Sequence, residues 1–205
     1  EGAGAGVTDH GGGGTAARGL RENREMPNPR LVSSETAYAG HLFDISLDRI
    51  EMDGGVLAVR ETIRHPGAVC MVPVTADGRL LLVTQYRHAA GRRLLELPAG
   101  TLEPGEEPLA AVARELQEEV GRRPGRIDAL GGFFVAPGYT TEDIHLFICR
   151  ELEESQLDGD EDEDIEVEER TLAEALVAVE SGEICDAKSV IGLLRWARLV
   201  ESSNR

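Results

Sequence analysis

The stretch GTLEPGEEPLAAVARELQEEVG, residues 100–121, turns a loop into a helix, and the rest of the chain is read outward from it. Gly100, Pro104 and Gly105 punctuate the first half, and Pro108 is preorganised for a first helical turn. A helix is predicted from Pro108 to Val120, stopping at Gly121 with Pro124 beyond. Its apolar stripe is Leu109, Val112, Ala113, Leu116 and Val120. At ~100° per residue, Glu115 and Glu119 project about 40° apart beside that stripe, while Glu118 falls opposite it. Like charges at i and i+4 oppose an isolated helix. They become favourable around a hard divalent cation, which prefers carboxylate oxygens. Glu106 in the loop is a third carboxylate within reach, and Arg114 is placed to hold or neutralise Glu118, four residues on. Taken alone, two such glutamates are a solvated helix face. The loop attached to them makes that explanation insufficient.

Before this segment the pattern is strand-like from Leu31. Residues 43–48 alternate, Asp53-Gly54-Gly55 supplies a turn, and residues 56–64 continue extended, which reads as an antiparallel β-hairpin. Residues 68–74 are a short buried run, Asp77-Gly78 a hairpin turn, and residues 80–86 a second apolar run. After the helix come strand candidates at 129–135, 144–150 and 165–167, then helices at 172–181 and 187–200. Strands, helix, strands and two helices in that order specify an α+β class with a mixed sheet, an α/β/α sandwich. Residues 1–30 are Gly-rich and polar and are expected to be a flexible leader. Residues 31–66 form an N-terminal β region, and residues 67–205 the remaining domain.

Composition narrows the function classes. Of 205 residues, 21 are Lys or Arg and 38 are Asp or Glu, a net charge of -17 that repels polyphosphate backbones and argues against nucleic-acid binding. No apolar run approaches the ~18 residues of a membrane span, and no secretion signal is visible. Cys70, Cys149 and Cys185 are odd in number and lack C-x-x-C spacing, so a disulfide framework or zinc cage is not expected and a reducing, cytoplasmic setting is.

Gly100, Glu106, Arg114, Glu115, Leu116, Glu118, Glu119 and Gly121 together resemble the Nudix box, G-x5-E-x7-R-E-U-x-E-E-x-G-U with U apolar. Eight of the nine specified positions agree; the departure is Arg122, where the family has an apolar residue. Glu96-Leu97-Pro98-Ala99-Gly100 ahead of the box resembles the ADP-ribose pyrophosphatase subfamily. So do Gln85-Tyr86-Arg87, Ala136-Pro137-Gly138-Tyr139 behind the box, and Asp186-Ala187-Lys188-Ser189. The resemblance spans most of residues 35–200.

That resemblance implies a Nudix fold and Mg²⁺-dependent hydrolysis of ADP-ribose, or a related nucleoside diphosphate sugar, to AMP and ribose 5-phosphate, with Mn²⁺ as the alternative metal. It implies Glu115 and Glu119 as metal ligands, joined by the Ala99 carbonyl and assisted by Glu118, with Arg114 supporting the catalytic carboxylates. The family's base lies on a late loop, here the acidic run 158–164, where Glu163 is the first choice and Glu161 the second. Arg60, Arg87, Gly138 and Glu142 match substrate-contacting positions, although each also reads as an ordinary surface residue. Relatives in the family are homodimers that exchange N-terminal strands, so a homodimer through the hairpin is expected here. The competing readings are a Nudix hydrolase of another sugar nucleotide such as GDP-mannose or ADP-glucose, or of a nucleoside polyphosphate. A third is a catalytically silent nucleotide-sensing domain, disfavoured because all four box carboxylates are present.

Overall fold

A computed structural model describes residues 28–159 and 164–203. The leader expected over residues 1–30 lies, through residue 27, outside the described residues, as do the two candidate bases Glu161 and Glu163. Ten strands and three helices are described. They are β1 (Arg30–Ala39), β2 (Asp44–Glu51), β3 (Leu57–Arg64), β4 (Ala68–Pro73), β5 (Leu80–Arg87), β6 (Arg92–Glu96), β7 (Ala99–Thr101), α1 (Pro108–Glu119), β8 (Arg122–Phe134), β9 (Asp143–Glu154), β10 (Glu166–Arg170), α2 (Leu172–Ser181) and α3 (Ala187–Ser203).

Three sheets result. β1-β2-β3 is antiparallel, β10-β5-β6 is antiparallel, and β7-β4-β9-β8 is mixed because β4 and β9 run parallel. Strand alternation divides the core into two layers. On β4, Ala68, Cys70 and Val72 face one way, and Val69 and Met71 the other. The first set packs with Leu80, Leu82, Leu146 and Ile148 beneath α2 and α3, through Ala175, Ala178 and Leu193. The second set packs with Leu81, Val83 and Phe147 beneath α1, through Ala111, Val112 and Leu116. Helices on both faces of a mixed sheet are the α/β/α sandwich of the sequence reading.

The differences lie at boundaries and faces. The N-terminal hairpin is a three-stranded sheet, because β1 pairs along the whole of β2 despite two register shifts. Residues 97–107 are not all loop: β7 pairs with β4, placing Ala99 opposite Cys70. The α1 stripe is rotated from its expected face, with Leu109 at the surface and Ala111 buried. Rotation toward Ala111 is what takes Glu115 and Glu119 into the interior. In α2 the buried positions are Ala175 and Ala178, whereas Val177 is exposed. Thr171 caps that helix reciprocally with Glu174. Gly121 takes the left-handed conformation after α1 (φ +67°), which a side chain rarely adopts. Arg122 then opens β8 and pairs with Glu154 at 3.5 Å, so its departure from an apolar residue costs no core contact.

Candidate active site

Helix α1 carries Arg114, Glu115, Glu118 and Glu119, and its C-terminal half meets the backbone of residues 99–101. Arg114 is the hub. Its Nε and Nη2 donate to the two carboxylate oxygens of Glu106 at 3.0 and 2.9 Å, a bidentate fork. Nη1 donates to Glu115 Oε1 at 2.7 Å and to Glu118 Oε2 at 2.9 Å. Nη2 also reaches the Thr101 carbonyl at 3.3 Å, tying the loop to the helix. The Glu106 carboxyl is held below the usual carboxylate range, first by its hydrogen bonds from Arg114. Arg114 is held protonated by the same bonds, against the opposing effect of burial.

Glu115 and Glu119 are only 9% and 7% exposed, unusual for carboxylates and expensive without compensation. Glu119 Oε2 accepts from the Ala99 amide at 3.0 Å. Gly100 lies so close that a Cβ there would fall 1.8 Å from the Glu115 carboxyl carbon. Glycine at this position is therefore required by space rather than by backbone angle.

Among the described residues, no three His, Cys, Asp or Glu side chains converge in metal-ligand geometry. Arg114 stands among them and draws Glu115 and Glu118 toward itself. In chemistry the donor set nevertheless fits a hard divalent cation. It offers carboxylate oxygens from two buried glutamates and one half-buried one, beside a glycine cradle that leaves them room.

An open cleft of about 330 Å³ adjoins the cluster, lined by Glu118, Glu119, Val120, Gln156, Gly159, Ile165 and Val167. Its far wall is laid along the end of α1 by backbone and side-chain bonds. Gln156 Nε2 donates to the Glu118 carbonyl at 3.2 Å, and the Leu157 amide donates to the Gln117 carbonyl at 3.3 Å. Gly159 and Ile165 thus bring both described ends of the acidic run to the cleft that exposes Glu118 and Glu119.

The remaining sequence candidates are dispersed. Arg60, on β3 opposite Asp48, donates to the Val59 carbonyl at 3.0 Å and forms no ion pair with the cluster among the described residues. Arg87, at the end of β5, donates from Nε and Nη2 to Glu96, at 2.8 Å for its closest contact. Burial opposes the charge on Arg87 but is outweighed by Glu96, so its basicity is raised. Gly138 is exposed, with open space around it. Glu142 is half-buried, and its carbonyl accepts from the Val135 amide at 3.1 Å. The 136–141 loop docks on β3 through Ile63, whose amide donates to the Tyr139 carbonyl at 2.8 Å.

One group had no role in the sequence reading. Glu96 is 1% exposed and binds both Arg87 and Lys188. A signal was present: a lone acid in the apolar run Leu94-Leu95-Glu96-Leu97 must meet a partner if the run is buried. Cys70 and Cys149 are buried, and burial pushes both thiols up to about 12, which leaves them unreactive.

The sequence matches the NUDIX domain family model over residues 64–190, more than half of the chain. It is 37% identical over 166 residues to an ADP-ribose pyrophosphatase of Bacillus subtilis (strain 168), covering 80% of this chain and 90% of that protein. A methanol dehydrogenase activator of Bacillus methanolicus is 35% identical over the same coverage. The crystal structure of an ADP compounds hydrolase superposes with a TM-score of 0.78 at 26% identity, covering 89% of this chain and 99% of that one.

Proposed function

The chain belongs to the Nudix hydrolases, and on that premise we propose that it cleaves the pyrophosphate bond of ADP-ribose, or a related nucleoside diphosphate sugar, to AMP and ribose 5-phosphate. The observation that carries this reading is the pair of buried carboxylates, Glu115 and Glu119, pressed on Gly100 and Ala99 and opening onto a cleft through Glu118. Similarity to an ADP-ribose pyrophosphatase over 90% of that protein supports the substrate class.

Glu115, Glu119, Glu118 and the Ala99 carbonyl would hold Mg²⁺, with Mn²⁺ as the alternative. When bound, the metal offsets the pyrophosphate charge and positions a water for attack on phosphorus. That also reconciles a net charge of -17 with an anionic substrate. The protein's own part is positional. The Ala99 amide fixes one oxygen of Glu119, and Arg114 orients Glu115 and Glu118 while its fork anchors to Glu106. We assign the proton-accepting base to Glu163, with Glu161 second. The support is that Gly159 and Ile165, on either side of these residues, line the cleft beside Glu118 and Glu119. Arg87 presents the edge not held by Glu96 to a substrate phosphate, and Arg60, Gly138 and Glu142 complete the contacts.

Homodimerisation belongs to the same reading. Residues 31–66 form the assembly region and residues 67–205 the catalytic domain. One face of the β1-β2-β3 sheet exposes Tyr38, Leu57 and Val59, each more than half accessible. A cytoplasmic site of action is consistent with three free cysteines and with no described helix long and apolar enough to cross a membrane.

The test is product analysis across a panel of nucleoside diphosphate sugars with Mg²⁺, comparing wild type with Glu119→Gln. ADP-ribose should yield AMP and ribose 5-phosphate. The variant should lose at least the ~100-fold typical of disturbing a metal's outer shell, since Glu119 is an inner ligand. Preferential turnover of GDP-mannose would move the substrate assignment. Binding of ADP-ribose with no turnover of any panel member would favour a sensing domain.

A further inference from the structure

Residues 96–100 form a bridge in which every residue has a separate attachment. Glu96, essentially buried, accepts from Lys188 Nζ at 2.5 Å and from Arg87 Nη2 at 2.8 Å. The Leu97 amide donates to Ser189 Oγ at 2.7 Å, and both residues are fully buried. The Leu97 side chain packs so tightly on α3 that a Cβ at Gly192 would meet its Cδ1 at 2.6 Å. The Pro98 carbonyl accepts from the Met71 amide at 3.0 Å. The Ala99 amide donates to Glu119 Oε2 at 3.0 Å, and Gly100 abuts the Glu115 carboxylate.

The Lys188 and Ser189 attachments come from one place, the N-terminal turn of α3. There Asp186 Oδ2 accepts from the Ser189 amide at 3.1 Å and from Lys188 Nζ at 2.9 Å. That cap fixes the two side chains that reach Glu96 and Leu97. The strand after Glu96 is therefore held by a helix about ninety positions away, and it delivers the Ala99 amide to Glu119. A segment this short, at roughly 3.3 Å per residue, transmits a shift at Leu97 to Ala99 with little slack.

We propose that Lys188 and Ser189, at the start of α3, are positioning residues for the metal-holding carboxylates: through Glu96 and the Leu97 amide they set where Ala99 meets Glu119. This rests on the metal-dependent hydrolase reading above. The residues touch neither metal nor substrate. They act on the backbone that orients one ligand, an outer-shell function whose loss weakens metal binding as well as stability.

The experiment measures Mn²⁺ binding by electron paramagnetic resonance, together with hydrogen exchange of the metal-free protein, on the full chain. Wild type, Glu119→Gln, Ser189→Ala and a core control, Ile148→Val, are compared. Glu96→Gln serves as a second variant should Ser189→Ala fail to fold. Ser189→Ala should weaken the Mn²⁺ binding that Glu119→Gln abolishes by about 10-fold and speed exchange at the Leu97 and Ala99 amides. Ile148→Val should lower the melting temperature and leave both readouts unchanged. If Ser189→Ala and Glu96→Gln melt earlier but bind Mn²⁺ as wild type does, the positioning role is overturned and α3 merely braces the fold. If wild type shows no Mn²⁺ binding that Glu119→Gln removes, the metal-hydrolase reading falls and takes this inference with it.

Discussion

Gly100 shows what a single residue contributes. Its backbone angles are open to any residue, yet a methyl group there would overlap the Glu115 carboxyl carbon at 1.8 Å. Gly100→Ala must push either the carboxylate or β7 aside. A forced overlap of this kind typically costs about 1–3 kcal/mol, and here the displaced group is one of the carboxylates proposed to hold the metal. We expect stability to fall within that range by urea denaturation, and kcat/KM on ADP-ribose to fall by ~100-fold or more. A variant with normal turnover would show that Glu115 does not need its observed place. Gly100 was marked by the sequence motif; the reason for glycine was not. That reason is a close approach between residues fifteen apart, which no local pattern expresses.

At the scale of elements, the loop entering α1 is stapled to the helix by Glu106 and Arg114. The Glu106 carboxyl is depressed in the folded protein by Arg114, so its contribution to stability is full above its ordinary value of 4.5 and is lost as pH falls through the lower folded value. Glu106→Gln should therefore reduce stability near neutral pH, and the gap to wild type should shrink on acidification below pH 4.5, as melting temperatures across pH would report. A constant gap would mean that the fork contributes by shape and not by charge. The helix itself was legible from Pro108, Gly121 and the spacing between them. Its rotation was not: Leu109 faces solvent and Ala111 the core. Packing on Val69 and Met71 of β4 selects among faces of similar apolarity. β7 was likewise hidden, since in Ala99-Gly100-Thr101 only the threonine favours a strand, and the segment is extended by pairing with Cys70, Val69 and Ala68.

On the scale of the whole molecule, the N-terminal sheet stands beside the sandwich with one mostly polar face and one of mixed character. On the first, Asp48 is buried and bound by Ser34 and Arg64. On the second, Tyr38, Leu57 and Val59 are each more than half exposed, beside the charged Arg49, Glu51 and Glu61, and the proposed partner copy would cover them. Val59→Arg should convert the proposed dimer to a monomer in analytical ultracentrifugation without unfolding the sandwich. A wild-type monomer at micromolar concentration would refute the assembly.

The amino-acid sequence by itself determined the chemistry of this protein and the class of its fold. One loop carboxylate, then three carboxylates and one arginine on a Pro-to-Gly helix, all at set spacings, are local information, and alternation of period two separates the faces of each strand. Only the tertiary structure decided which of those carboxylates are buried, what presses on them, and what Arg87 and Glu96 do. Arg87 reads in sequence as a substrate contact or an ordinary surface charge, and in the fold it is one of two partners of a buried acid. The physical reason is distance along the chain. The bonds that place residues 96–100 come from Met71, Glu119, Lys188 and Ser189, and the strength of each depends on burial that exists only once both layers of the sandwich have closed.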